Sequence, residues 1–543
     1  MQSMQFNWNN PYPTPRTPIF ARNAVSTSHP LAAQAGLHML FKGGSAVDAI
    51  IATAAVLTIV EPVSNGLGSD AFAIVSDDTG LHGLNASGIS PAAWNPEYFK
   101  AKYGVDGKGL ARQPERGVDA VTVPGAVKAW ATLHERFGKL PFADLFEPAI
   151  ALARRGHTIA PMVAKKWAAA VPLLESQPGF SDVFMPHGRA PQTGEHFTMP
   201  AAARTFERIA QSHGRDYYEG EIAESLVSFL RKHGGAHTMD DFRAFQAEWV
   251  TPISQDYAGY ALHEIPPNGQ GIAALIALGI LKHHDVGAYP VDSLASQHLQ
   301  IEAMKLAFAD IYRYVSDPRS MDVTPEQMLD PGYLASRAKL IDMDKASAHT
   351  FGRPPAGGTV YLTAADENGM MVSFIQSNYM GFGSGVVHPE WGISLQNRGA
   401  GFSMDPISPN VVGGHKRPFH TIIPGFLTHQ GVPRMSFGVM GGDMQPQGHM
   451  QTVIRMLTYG QNPQAACDAP RWKVNRDFTL DLESTIPAAI VEGLRAKGHQ
   501  LKSFDDPYMD FGAGQFIWRL SEDRDHGYVA ASDSRRDGHA VGF

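Results

Sequence analysis

Between residues 348 and 358 the sequence runs AHTFGRPPAGG, a stretch that suits neither helix nor strand, and it separates two differently patterned parts of the chain. Proline removes a backbone donor and glycine resists ordering, so this segment is expected to be an exposed or strained loop. Upstream, helix-spaced apolar residues recur at 46–60, 126–137, 142–155, 201–212, 221–233 and 293–314, bounded by glycines and prolines. Strand signals there are shorter, at 72–76 and 260–265. Downstream, 359–363 alternates like a strand, Asp366-Glu367-Asn368-Gly369 carries an Asn-Gly turn pair, and 371–375 returns. Thr359 therefore heads a strand directly behind two glycines. By itself this pattern reads as a loop entering a hairpin.

Composition removes several function classes. With 43% hydrophobic and 18% charged residues and a net charge of -8, the 543-residue chain has globular composition and no basic surplus for a nucleic-acid partner. Its single cysteine, Cys467, excludes internal disulfides and cysteine-rich metal sites and fits a reducing compartment. The first twenty residues lack a basic end followed by an apolar run, so a cytoplasmic protein is expected. The most apolar stretch, 46–60, contains Asp48 and is shorter than the roughly 20 residues of a membrane span, which makes it a buried core helix. No repeat suggests a solenoid.

Several motifs together resemble the γ-glutamyltranspeptidase family of N-terminal-nucleophile hydrolases over nearly the whole chain. They are Gly43-Gly44-Ser45-Ala46-Val47-Asp48-Ala49, Asn65-Gly66-Leu67-Gly68-Ser69-Asp70-Ala71-Phe72, Val123-Pro124-Gly125-Ala126-Val127 and Gly138-Lys139-Leu140-Pro141. Further on stand Ile265-Pro266-Pro267, Glu302-Ala303-Met304-Lys305, Lys416-Arg417-Pro418, Gly441-Gly442, Ala469-Pro470-Arg471, Ala531-Ser532-Asp533 and Asp537-Gly538. Any one is weak; their order is the signal. The resemblance implies an α/β αββα sandwich built jointly by a large fragment, 1–358, and a small fragment, 359–543, after the precursor cleaves itself between Gly358 and Thr359. The two fragments would remain together as a heterodimer, and a homo-oligomer is compatible with the sequence. Thr359 would be the nucleophile, its freed α-amine, of ordinary pKa ~7.7–8.0, the base. Gly441 and Gly442 would supply oxyanion N–H groups. Ser377 falls where the family has a threonine that hydrogen-bonds the nucleophile. No cofactor or metal is implied.

The substrate-holding positions depart from that pattern. Where the family has an arginine for the α-carboxylate of a γ-glutamyl group stands Ser87. The asparagine for the α-amino group falls at Tyr379, beside the Asn397-Arg398 pair; the glutamine falls at Arg398 and the aspartate at Gly401, while two serines become His420 and Thr421. Arg398 would repel an ammonium, so an amide whose acyl group is anionic or neutral and lacks an α-amine is expected, with Arg398 or a protonated His420 meeting a carboxylate. This points towards the family's amidases and acylases. A genuine γ-glutamyltransferase or glutathione hydrolase is the alternative, and an inactive relative serving as a binding module is the rival of another class. A metal enzyme built on His415, His420, His429 and His449 lacks HExxH-like spacing, no G-x-S-x-G elbow is present, and residues 65–69 do not form a dinucleotide fingerprint.

Overall fold

The computed structural model describes residues 6–8, 11–14, 16–347, 358–504 and 511–543. The expected loop falls largely on 348–357, outside the described residues; the hairpin behind it is the centre of the fold. Its strands, Gly358–Ala365 and Met371–Tyr379, pair antiparallel with Leu362 opposite Phe374. Gly369 in the turn has φ 94°, a conformation that costs glycine little.

That hairpin lies inside a seven-stranded sheet ordered His539–Gly542, Ala24–Thr27, Gly358–Ala365, Met371–Tyr379, Asp70–Asp77, Gly80–Ala86, Glu248–Val250. A second sheet runs Ile19–Ala21, Tyr528–Ser532, Ala513–Arg519, Val432–Met440, Gly425–His429, Tyr260–Glu264, Ile253–Tyr257. Strands from both sides of residue 358 contribute to each sheet, so neither segment completes a sheet alone.

Alternation along the strands produces the layers. Tyr361 and Ile74 point between the sheets, where they pack with Phe72, Ile375, Phe426, Met440 and Ile517. Their neighbours Val360, Leu362, Ala73 and Val75 face the opposite way, onto helices Pro30–Phe41, Ala46–Val60 and Ala126–Phe137. Leu427, Phe437 and Phe516 of the second sheet bury helices Ile272–Leu281, Leu294–Tyr314 and Met444–Leu457 on its outer face. The result is the expected αββα sandwich.

Helix Ala46–Val60 is buried along its whole length, which its apolar circumference requires. Ser45 caps it and Asp48 closes the capping box. The Asp48 carboxylate also accepts the N–H groups of Lys139 and Leu140 at 2.9 and 3.1 Å, so two of the recognised motifs are one contact. No helix among the described residues is long and apolar enough to cross a membrane. The expected helix 142–155 divides into a 3-10 turn, Phe142–Phe146, and helix Glu147–Arg155, because Pro148 starts a helix more readily than it continues one.

Two other motifs meet in a buried ion cluster. Arg471 Nη2 and Arg535 Nη1 donate to Asp533 at 2.7 and 3.1 Å, and Arg535 also holds Glu483. Burial pushes the Asp533 carboxyl upward, but Arg471, Arg535 and backbone N–H groups outweigh it and hold the group at about 2. This value is depressed below the ordinary ~3.9 of an unfolded aspartate, so the stabilisation is present above about pH 4 and is lost as pH falls towards 2. In acid-unfolding profiles Asp533→Asn should therefore lose stability at neutral pH and flatten the limb between about pH 4 and 2.

The close approach of the sheets depends on Gly438, where an added Cβ would lie 2.4 Å from the Tyr361 ring, against nothing within 4 Å at Gly107. Gly438→Ala should cost about 1–3 kcal/mol by overpacking, while Gly107→Ala stays near wild type in thermal unfolding.

Candidate active site

The register of the central hairpin breaks at Thr359. Gly358 pairs with Tyr379 and Val360 with Gln376, which leaves Thr359 opposite two residues, Ser377 and Asn378, a bulge in the partner strand at the end of the ladder. There its Oγ1 lies 3.1 Å from Ser377 Oγ, a contact made possible because an eighteen-residue separation spans the hairpin. Ser377 Oγ also accepts the Tyr379 N–H at 2.8 Å. Tyr379 has φ 80°, a strained value for a large side chain, and costs of order 1–3 kcal/mol collect at such sites. Thr359 is 2% exposed.

The strained turn presents the Tyr379 ring to Arg398, whose guanidinium carbon is 4.6 Å from the ring centroid. Arg398 is 1% exposed, and its Nη1 donates to Thr421 Oγ1 at 2.8 Å. Its Nε and Nη2 have no acceptor among the described residues. Burial lowers its pKa to about 10, opposed by Asp70 and Tyr379, so it remains a cation at neutral pH. Tyr379, Arg398 and Thr421 thus converge beside the Thr359 end of the sheet.

The other three expected substrate contacts are engaged by the protein. Ser87 Oγ accepts from Asn268 Nδ2 at 3.0 Å, while Arg417 donates to the Ser87 carbonyl and to Gln246 O and Glu248. Asn397 holds the main chain of Glu115 and Met380 at 2.8 and 3.2 Å. His420 is fully buried: Nδ1 accepts the Ile422 N–H at 3.4 Å, and Nε2 stands 3.1 Å from Asp70 Oδ2. These contacts assign the Nε2–H tautomer, with Nε2 donating to Asp70. Burial, then Arg398 and Arg417, lowers the ring's pKa well below its ordinary value, so the expected protonated His420 is corrected to a neutral one.

Asp70 itself is saturated. Its oxygens also accept the N–H groups of Gly88 and Gly125 at 2.9 and 3.1 Å, and burial raises its pKa to about 6 against the pull of Arg398 and those N–H groups. Gly401 explains why no acid replaces the family's aspartate: an added Cβ would lie 2.8 Å from the Phe419 carbonyl oxygen.

Gly441 and Gly442, at φ 121° and 58°, form the turn between strand Val432–Met440 and helix Met444–Leu457. Three residues without an assigned role in the sequence position this turn. Gln270 Nε2 donates to Gly442 O at 3.0 Å and Thr421 O at 2.6 Å, tying it to the segment that carries Arg398's partner. Asp443, the next residue, is clamped by Arg476 through Nε and Nη2 at 2.5 and 2.6 Å. The Pro266-Pro267 motif beside Gln270 was the available signal; nothing local marks the Asp443–Arg476 pair, thirty-three residues apart.

The four clustered histidines separate in the fold: His415 faces Asp241, His420 Asp70, His449 Glu264 and His429 the Tyr260 ring. Among the described residues, His298, Glu302 and His499 form a group of metal-ligand type, and the Lys305 ammonium sits 2.9 Å from Glu302 and 3.0 Å from His499 within it. A lysine there supplies the cation that the group needs.

Comparison with known proteins agrees with this arrangement. The γ-glutamyltranspeptidase family model matches residues 32–543. A glutathione hydrolase-like proenzyme of Bacillus subtilis is 35% identical over 97% of this chain and 99% of its own length. The oxamate amidohydrolase proenzyme of Klebsiella pneumoniae is 34% identical over 95% and 97%. The crystal structure of a cephalosporin acylase from Bacillus halodurans, 47% identical, superposes with a TM-score of 0.92 and covers 98% of both chains. From the match across both sheets and the hairpin at their centre, the chain belongs to the γ-glutamyltranspeptidase family and is an enzyme of the N-terminal-nucleophile hydrolase type.

Proposed function

We propose that this protein cleaves itself between Gly358 and Thr359 and then hydrolyses amides whose acyl group carries an anionic end and no α-amine. The observation that carries the substrate reading is the buried Arg398, with two N–H groups lacking acceptors beside Tyr379 and Thr421. Among the described residues no acid beside Arg398 is left over for an incoming ammonium: Asp70 is taken by Gly88, Gly125 and His420, and Asp443 by Arg476. A γ-glutamyl α-amine would meet like charge, a penalty of several kcal/mol in order of magnitude, whereas a carboxylate gains charge-assisted bonds. Relatives named as an oxamate amidohydrolase and a cephalosporin acylase support acyl groups other than γ-glutamyl.

In the proposed reaction, Thr359 Oγ1 attacks the amide carbonyl while the free α-amine of Thr359 takes the hydroxyl proton. Ser377 orients that hydroxyl, and the Gly441–Gly442 turn receives the oxyanion. Collapse breaks the C–N bond, the α-ammonium returns the proton to the leaving amine, and an Oγ ester remains. Water, deprotonated by the same amine, then attacks the ester and releases the acid. Self-cleavage uses the same hydroxyl on the Gly358 carbonyl, through an ester that water opens. Chains 1–358 and 359–543 stay interleaved in both sheets, which fits relatives named as proenzymes. The buried Cys467 needs no disulfide partner, and the cytoplasm is the proposed compartment.

Intact-mass analysis under denaturing conditions should give two chains, the smaller beginning at Thr359. Thr359→Ala should remain one chain, and a fully active uncleaved wild type would remove Thr359 from this role. For the substrate, kcat/KM on N-glutaryl-p-nitroanilide should exceed that on γ-glutamyl-p-nitroanilide by about tenfold or more, equivalent to about 1.4 kcal/mol. Arg398→Gln should narrow that ratio. Equal or better turnover of the γ-glutamyl compound by the wild type would reverse the substrate assignment.

A further inference from the structure

Arg476 has one guanidinium edge committed and one N–H left over. Its Nε and Nη2 form a fork on Asp443, yet Nη1 is buried without an acceptor among the described residues. The side chain is 5% exposed. Its guanidinium carbon lies 5.3 Å from the Tyr312 ring centroid and 5.9 Å from that of Phe419. Two features bring it towards Arg398. Tyr379, whose face carries Arg398, has its hydroxyl within side-chain hydrogen-bonding reach of Arg476 as well. Phe419 and Thr421 alternate on one segment, so the residue beside Arg476 and the residue bonded to Arg398 are two positions apart.

The acids nearby oppose the charge of this pair but accept from none of its three free N–H groups. Asp443 offsets one guanidinium, Asp70 is bound by two backbone N–H groups and a neutral His420, and Tyr312 and Tyr379 are neutral phenols whose ionisation burial opposes. Arg398 Nε and Nη2 together with Arg476 Nη1 therefore make a set of buried, charged donors with no acceptor among the described residues. A planar carboxylate, with two oxygens, matches donors arriving from two sides.

We infer that Arg476 is a specificity-determining residue that receives, jointly with Arg398, the carboxylate end of the acyl group. The inference rests on the anionic-acyl reading above and adds a second cation to it. It differs from a purely structural role, in which Arg476 would only hold Asp443 and so steady the Gly441–Gly442 turn. That role would change kcat for every acyl group by a similar factor. A contact with the acyl carboxylate instead changes selectivity between charged and uncharged acyl groups of equal length.

The test compares N-glutaryl-p-nitroanilide with N-pentanoyl-p-nitroanilide, which lacks the carboxylate, in wild type, Arg476→Met, Arg476→Lys and Asp443→Asn. In Arg476→Met the glutaryl-to-pentanoyl ratio of kcat/KM should fall about tenfold or more, mainly through the glutaryl KM, and inhibition by free glutarate should weaken in parallel. Arg476→Lys should recover part of the ratio and keeps the test decisive if the methionine variant fails to fold. Asp443→Asn, which loosens the clamp but leaves the guanidinium, should lower kcat on both substrates and retain more of the selectivity than Arg476→Met. An unchanged ratio in Arg476→Met, with wild type still preferring glutaryl and Arg398→Gln still reducing that preference, overturns the role of Arg476 alone. A wild type indifferent to the acyl carboxylate overturns the anionic-acyl reading and this inference together.

Discussion

The antiparallel pairing of Gly358–Ala365 with Met371–Tyr379 is the constraint on which the site depends. Because these strands occupy the middle of a sheet, their register is fixed from both sides, by Ala24–Thr27 and by Asp70–Asp77. A slip of one residue would send Tyr361 out of the inter-sheet core and Val360 and Leu362 into it. The bulge opposite Thr359 is therefore held by the surrounding layers, and the bulged strand ends at Tyr379, in the left-handed region. One local irregularity thus presents the threonine hydroxyl to Ser377 and turns an aromatic face towards Arg398.

The sequence made local parts of this arrangement readable. The apolar run marks a buried helix at 46–60, the Asn-Gly turn marks the hairpin, and the resemblance put Ser377 beside Thr359, as the hairpin does. The αββα architecture followed from the family resemblance, since no periodicity reveals which strands share a sheet. Residues whose meaning depends on distant partners were not readable. His420 suggested a titratable contact, but Asp70, separated from it by 350 residues, fixes its tautomer and burial removes its charge. Ser87 and Asn397 stood at substrate-holding positions, yet Asn268, Glu115 and Met380 claim them. Gln270 and Arg476 became visible once the turn at Gly441–Gly442 had a location.

The electrostatics of the site follow from how its acids are used. A buried carboxylate is tolerated when hydrogen bonds or cations compensate its desolvation, and Asp70 and Asp443 are both compensated from within the protein. Asp70 joins the segment after strand Gly80–Ala86 to the Val123-Pro124-Gly125 segment, and Asp443 joins the Gly441–Gly442 turn to the 472–476 segment. Both acids are thereby spent on architecture. Arg398 is different: one N–H reaches a threonine hydroxyl, which carries no charge, and its other donors lack acceptors among the described residues. Asp70 offsets part of the cost of burying that cation, and on the proposed reading an anion accepting from the free N–H groups offsets more. A γ-glutamyl group would bring its carboxylate and its ammonium together, so the ammonium would cancel much of the gain unless an acid stood ready to take it. The Phe419 carbonyl closes that option at Gly401, where even a Cβ does not fit without a shift. On the proposed reading, substrate choice is set by where the fold has already used its negative charges, and the hairpin that carries Thr359 can stay the same while the acyl group changes.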